Sequence, residues 1–239
     1  MDLAYDGTGF HGYATQPNVP TVQAALEDAM EPWVGEVDTF VAGRTDKGVH
    51  ATGQVVSFES AAEVDTFRLM RSLNRRLGPA IAVLSFSAVG DDFHARHSAT
   101  GRRYRYQVLN REAPDPFLAR TSWHLTVSLD AEEMNRAIEP LVGVHDFAAF
   151  CKAAKGRGTV RELCSLEWKP RPGDLVVLDV HASSFCHQMV RSIVAASVDV
   201  GRGVISADRV AEILDTHDRR QGRGAAPSRG LTLVGVDYD

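Results

Sequence analysis

The chain has 239 residues, 44% hydrophobic and 24% charged, with 26 basic and 31 acidic side chains, a net charge of −5 and a pI near 6.0. That length suits one large domain or two of about 100 residues, and the charge balance argues against a generic basic nucleic-acid binder. No apolar run approaches the ~20 residues that span a bilayer. The start, Met1 to Asp6, has neither the basic nor the apolar stretch of a signal peptide, and the three scattered cysteines (Cys151, Cys164, Cys186) form no disulfide framework; together these predict a reduced, cytoplasmic protein.

Residues 3–5 read as a strand, followed by a glycine-rich loop to Pro20. Residues 21–34 read as a helix: Val22, Ala25, Leu26, Ala29, Met30 and Trp33 fall on one face, with Thr21 as N-cap. Residues 37–41 and 54–58 read as strands. Asp65 caps a helix to Leu77, stopped by Gly78-Pro79, and residues 81–89 form the next strand. The second part repeats this order. Residues 103–109 alternate as a strand with Tyr104, Tyr106 and Val108 on one face. Asp130 caps a helix through Leu141. Residues 160–168 and 174–182 are strands joined at Pro170-Arg171-Pro172-Gly173. Ser183 or Ser184 opens a helix to Val200, Ser206 opens a shorter one to Leu214, and residues 231–238 are the last strand. The predicted fold is α+β (α/β): two ferredoxin-like β-α-β-β-α-β halves, residues 1–98 and 99–239, forming a mixed sheet with a central cleft.

Charge is segregated along this order. Residues 1–65 carry −9, residues 66–124 carry +6, residues 151–172 carry +4, and 22 of the bases are Arg against 4 Lys. Arg presents a planar fork suited to phosphate oxygens, so a basic stripe on an acidic body points to phosphate binding. The expectation is that arginines 102, 103, 105, 157 and 161 gather on the side of Asp46, with the acids of residues 27–38 away from it. Arg219-Arg220-Gln221-Gly222-Arg223-Gly224 reads as a mobile, RNA-contacting loop.

Several motifs fail on context. Gly7-Thr8-Gly9-Phe10-His11-Gly12 matches G-x-G-x-x-G, but Pro17 and Pro20 forbid the helix that a dinucleotide site needs, so the glycines are assigned to a tight loop. His94 with His97, and Cys186 with His187, lack a second pair at zinc-finger spacing, and no metal site is predicted. Neither a P-loop nor a nucleophile elbow is present.

Ala42-Gly43-Arg44-Thr45-Asp46-Lys47-Gly48-Val49-His50-Ala51 joins two strands of the first half. A polar hairpin loop is its plain reading. It also sets one carboxylate between Arg44 and Lys47, and nearby cations favour an ionised Asp able to act as a nucleophile.

This segment closely resembles the active-site motif of the tRNA pseudouridine synthase A (TruA) family. Nearly the whole chain shares the resemblance: Tyr5-Asp6-Gly7-Thr8 with Phe10-His11-Gly12, Thr21-Val22-Gln23, Gly53-Gln54-Val55-Val56-Ser57-Phe58, Asp92-Phe93-His94-Ala95-Arg96, Arg102-Arg103-Tyr104-Arg105-Tyr106, Phe185-Cys186-His187-Gln188-Met189-Val190-Arg191 and Gly230-Leu231-Thr232-Leu233. The resemblance implies a pseudouridine synthase fold and a cytoplasmic isomerase that turns uridine into pseudouridine in the anticodon stem-loop of tRNA. It also implies a homodimer and no cofactor. The implied catalytic set is Asp46, Tyr104 stacked on the target base, and Arg191 paired with Asp46. The implied substrate-binding set is Arg44, His50, Arg103, Arg105, Leu231 and Leu233. Asp46 would attack C1′ or C6, or act as a base that gives a glycal. Tyr13-Ala14 and Lys47 depart from the common family pattern. The alternative from the fold order alone is a non-catalytic tandem RNA-binding module, against which stands the faintness of any aromatic consensus around Tyr104 and Tyr106.

Overall fold

The structure, a computed structural model, describes residues 1–60, 64–152 and 158–239; Arg157, expected on the basic stripe, lies outside them. The fold is mixed α+β. The chain divides into two compact units, Met1–Thr100 with Thr232–Asp239, and Gly101–Leu231.

The first unit runs β1 (Asp2–Tyr5), α1 (Val22–Val34), β2 (Phe40–Val41), β3 (His50–Ser57), α2 (Thr66–Leu77) and β4 (Ile81–Ser85). The strand β10 (Leu231–Tyr238) enters it from the other end of the chain. β1 pairs antiparallel with β3 and with β4. On its other edge β3 takes β10 in parallel at its start (Thr232 opposite His50, Leu233 opposite Ala51) and β2 antiparallel at its end. The strand expected over 37–41 is therefore only two residues long. The helices form for local reasons. The Thr21 side chain accepts from Ala24 N–H, and Gly35, at φ 74°, closes α1. Asp65 accepts from Arg68 N–H at 3.0 Å to start α2. Val22, Leu26, Ala29 and Met30 are buried as predicted, but Trp33 lies at the helix end, 39% exposed, its Nε1–H donating to Ser72 Oγ. Asn74 ties α2 to β4 by exchanging two hydrogen bonds with the Val83 backbone, at 2.9 and 2.7 Å.

The second unit runs β5 (Ala99–Asn110, all but its first two residues), β6 (Trp123–Leu125), α3 (Ala131–Ile138), β7 (Gly143–Asp146), β8 (Val160–Arg171), β9 (Leu175–Ala182), α4 (Met189–Gly201) and α5 (Asp208–Thr216). β9 lies between β5 and β8, antiparallel to both, β7 borders β8, and β6 adds in parallel to the end of β5. The short strands β6 and β7 escape sequence reading because three or four residues carry too little periodicity. α3 ends at Ile138 rather than Leu141, because Pro140 falls in a 3-10 turn over Glu139–Leu141. α4 begins at Met189, five or six residues later than Ser183 or Ser184 predicted, leaving 183–188 as a loop that ends on Gln188 at φ 66°. α4 is the core of this unit, buried over Ser192–Val198. Trp168 packs there with Nε1–H donating to Ser197 Oγ, while its backbone exchanges two bonds with Asn135 of α3.

Candidate active site

The Asp46 segment is a tight turn ahead of β3. Val49 N–H donates to Asp46 O at 3.1 Å, and Gly48 supplies the positive φ (74°) at the third turn position. The opening loop is fastened to this turn through backbone. Tyr13 N–H donates to Thr45 O at 3.0 Å and Gly48 N–H to Phe10 O at 3.3 Å. A Cβ on Gly7 would stand 2.0 Å from Val49 O. One on Gly12, at φ 102°, would stand 2.8 Å from Thr45 O, while Gly9 faces open space. Two of the three glycines of the false dinucleotide fingerprint thus let this loop reach the carboxylate-bearing turn.

Buried side chains support the turn from below. Gln54 Nε2–H donates to Gly43 O at 2.8 Å and to Tyr5 Oη at 3.2 Å, and Tyr5 shares a 2.8 Å bond with Thr45 Oγ1. Burial pushes the Tyr5 hydroxyl up to about 12, so it stays protonated and able to bridge. His50 is 4% exposed; its Nδ1 accepts from Gly7 N–H at 3.1 Å and lies 3.2 Å from Asp6 Oδ1. It therefore anchors the opening loop. Leu233, fully buried, sits opposite Ala51, five residues past Asp46.

Asp46 itself is partly exposed. The cations beside it in sequence are arranged differently from the expectation that both face its carboxylate. Lys47 Nζ donates to His11 Nε2 at 2.9 Å, and Arg44 is exposed, with no hydrogen bond or ion pair among the described residues. A side chain at the corner of a turn points away from its neighbour's, so adjacency in sequence does not make a pair.

In the second unit, Tyr104 on β5 is 8% exposed and meets the Phe185 ring edge-on, centroids 5.2 Å apart. Tyr106, two residues on, donates through Oη to Pro227 O at 2.8 Å, and its ring is so close to Gly230 that a Cβ there would lie 2.6 Å from it. Burial pushes the Tyr106 hydroxyl well up, partly offset by the Arg191 and Arg229 cations. Arg191, on the first turn of α4, donates from Nε to Ala226 O at 2.7 Å, while Ala226 N–H donates to Arg191 O at 2.9 Å. Leu231 is buried at 6% exposure where β10 starts.

The strand period separates the arginines. Arg103 and Arg105 are exposed while Arg102, Tyr104 and Tyr106 are buried on alternate positions of β5. Arg103 and Arg105 thus stand on the face opposite Tyr104, and Arg105 is ion-paired to Asp179 at 2.7 Å. The arginine on the Tyr104 face is Arg102, whose Nη1–H donates to Ser183 O at 2.9 Å. The alternation already visible at Tyr104, Tyr106 and Val108 is the signal that identifies it. Phe185 and Gln54 are further contributors that sequence reasoning did not single out for a role.

The segment 219–224, expected to be mobile, is tied down. Arg219 donates to Ser192 Oγ (2.6 Å), Gln188 Oε1 and Gly224 O; Arg220 is held by both carboxylate oxygens of Asp218; Arg223 binds Asp199 at 2.7 Å. Among the described residues no group of His, Cys, Asp or Glu is arranged to hold a metal ion, and no helix is long and apolar enough to cross a membrane.

The first unit thus carries a carboxylate on a backbone-braced turn, and the second carries a buried tyrosine, Tyr104, against the edge of an aromatic ring. A family model described as tRNA pseudouridine synthase matches residues 3–98 and 137–239. A tRNA pseudouridine synthase A of Myxococcus xanthus is 39% identical over 240 residues, covering 100% of this chain and 91% of that protein. One of Methylobacterium nodulans is 43% identical, covering 99% and 94%. A solved structure of a Cbf5-Nop10-Gar1 complex is similar at a TM-score of 0.38 and 12% identity, over 84% of this chain and 45% of that one, too distant to weigh in the assignment. The chain belongs to the tRNA pseudouridine synthase family, a family of isomerases.

Proposed function

We propose that this protein isomerises uridine to pseudouridine in the anticodon stem-loop of tRNA, in the cytoplasm and as a homodimer, with Asp46 as the catalytic aspartate. The observation that carries the reading is the Asp46 turn. Backbone contacts from the opening loop and a buried Gln54–Tyr5–Thr45 chain hold it in place, and this arrangement stands in a chain similar from end to end to tRNA pseudouridine synthases. Such bracing holds a reacting group still without using its side chain.

The target uridine leaves its stack, at a cost of a few kcal/mol that is least in a loop. Tyr104 gives the base a platform worth about 1–3 kcal/mol, with Phe185 supporting the ring from its edge. The Asp46 carboxylate acts at the sugar or the base, the N1–C1′ bond breaks, the uracil turns, and C5 bonds to C1′. The C5 proton then leaves to solvent and N1, freed of the sugar, takes one up, so product and substrate are isomers. Arg191 positions Asp46 through an ion pair. Leu231 and Leu233 form an apolar floor, and Arg44 holds backbone phosphate. Residues 1–98 supply Asp46, and residues 99–239 supply Tyr104 and Arg191.

The test is tritium release from tRNA carrying 5-tritiated uridine. Asp46→Asn is expected to abolish release and leave tRNA binding and thermal stability near wild type. Arg191→Ala is expected to cut kcat, with partial recovery in Arg191→Lys. Normal release by Asp46→Asn would overturn the assignment, and absence of release by the wild-type protein would favour the non-catalytic binding reading.

A further inference from the structure

Most cations whose contacts are described face a carboxylate. Arg68 with Asp65, Arg76 with Asp28, Arg105 and Arg171 with Asp179, Arg136 with Glu133, Lys169 with Glu167 and Arg209 with Glu212 form this matched population. Lys47 departs from it. Its ammonium donates at 2.9 Å to the Nε2 of His11, and no carboxylate neutralises it among the described residues. A neutral imidazole nitrogen that accepts a hydrogen bond carries no charge to oppose the ammonium, so the full positive charge of Lys47 remains on the exposed side of the turn. With Nε2 accepting, the proton of the neutral ring sits on Nδ1, and that atom is buried with no hydrogen-bond partner among the described residues. The Lys47–His11 contact therefore rests on one neutral acceptor in a ring that is itself poorly satisfied. Such a contact exchanges at little cost for a stronger, charge-assisted one.

Place matters as much as charge. Lys47 follows Asp46 directly, and Arg44, also exposed and without a carboxylate partner among the described residues, precedes it by two residues. A nucleotide whose sugar reaches Asp46 brings a phosphodiester on each side of that sugar, close to both cations. Two unneutralised cations on one braced turn fit a polyanion, whereas the matched arginines elsewhere do not.

We infer that Lys47 is a substrate-binding residue that leaves His11 to contact a phosphodiester next to the target uridine. The inference rests on the proposed function for the identity of the RNA, and it assigns a role to a residue at which this chain departs from the common pattern of the motif.

The experiment measures tRNA binding and kcat/KM against salt concentration for wild type, Lys47→Ala, Lys47→Arg, Lys47→Glu and the ion-paired control Lys169→Ala. Loss of one phosphate contact lowers the slope of log K against log[salt] by about 0.7–0.9. Lys47→Ala is expected to show that drop, with the loss of efficiency appearing in KM. Lys47→Glu should go further in the same direction, while Lys47→Arg and Lys169→Ala should keep the wild-type slope. A wild-type slope and KM in Lys47→Ala would overturn the inference. So would a fall in kcat with the slope unchanged, which would place Lys47 on Asp46 rather than on RNA. Equilibrium binding reads the slope without turnover, so failure of the proposed activity and failure of the Lys47 contact give separate results.

Discussion

The Asp46 turn and the arginine-rich segment 219–224 are both short, punctuated by glycine and rich in cations, yet their charges end in different states. Around Asp46 the holding is done by backbone: Tyr13 N–H on Thr45 O, Gly48 N–H on Phe10 O, and two glycines at close approach. Among the described residues Arg44 and Lys47 are left without carboxylates. In 219–224 the holding is done by the arginines themselves, on Ser192, Asp218 and Asp199. The lesson is that a basic residue in a sequence is a cation available to a ligand only where something else fastens the chain.

The comparison breaks most easily at Gly7. Ala there would force a Cβ to within 2.0 Å of Val49 O, a backbone atom with no soft side chain to yield. Gly7→Ala is expected to lower unfolding free energy by about 1–3 kcal/mol or more, measured in urea, and to reduce kcat through the displaced turn. A stable, active Gly7→Ala protein would show that backbone approach does not brace Asp46.

Tyr5→Phe comes next. It strands Gln54 and Thr45 without the shared hydroxyl, for about 1–3 kcal/mol, again read by urea unfolding. The same buried tyrosines set an alkaline limit. Tyr5, Tyr13 and Tyr106 are all raised, first by burial, so between pH 10 and about 12 the unfolded chain releases protons that the folded one keeps. Stability is expected to be independent of these groups below pH 10 and to fall above it, by up to about 1.4 kcal/mol per pH unit for each tyrosine. Tyr5→Phe should make that fall shallower; an unchanged alkaline slope would mean its hydroxyl is not held as described.

The smallest effects belong to the arginine segment. Arg219→Ala should cost about 1 kcal/mol, as expected for its lost hydrogen bonds, read by urea unfolding. Arg220→Ala should alter neither stability nor salt slope, since Asp218 already neutralises it. If Arg220→Ala lowers the slope as much as Lys47→Ala does, the contrast between the two regions is wrong.

Much of this was readable in the chain. The caps at Thr21, Asp65 and Asp130 stand where predicted, because a side-chain oxygen on the first free N–H groups is a purely local device. Pro17 and Pro20 excluded a dinucleotide helix correctly, and α1 starts only at Val22. The period of β5 was readable too, and it already separates Arg102 from Arg103 and Arg105. Other features were not. The late start of α4 depends on Gln188 at a positive φ, and Ser183 and Ser184 looked like ordinary caps. The start of β3 at His50 rather than Gln54 rests on long-range pairing, with Tyr5 of β1 opposite Ala51 and Thr232 and Leu233 of β10 opposite His50 and Ala51.

The opening charge of −5 shows where the boundary lies. By itself the sequence determined the order of the longer elements, the Asp46 motif and the family, because these rest on neighbouring residues, periodicity and matched order along the chain. Only the tertiary structure decided which cations are neutralised, because ion pairs join residues far apart in sequence: Arg223 to Asp199 and Arg105 to Asp179. What remains on the Asp46 turn is a small positive surface that the net charge conceals, and its origin is physical: backbone holds that turn, so Arg44 and Lys47 need not.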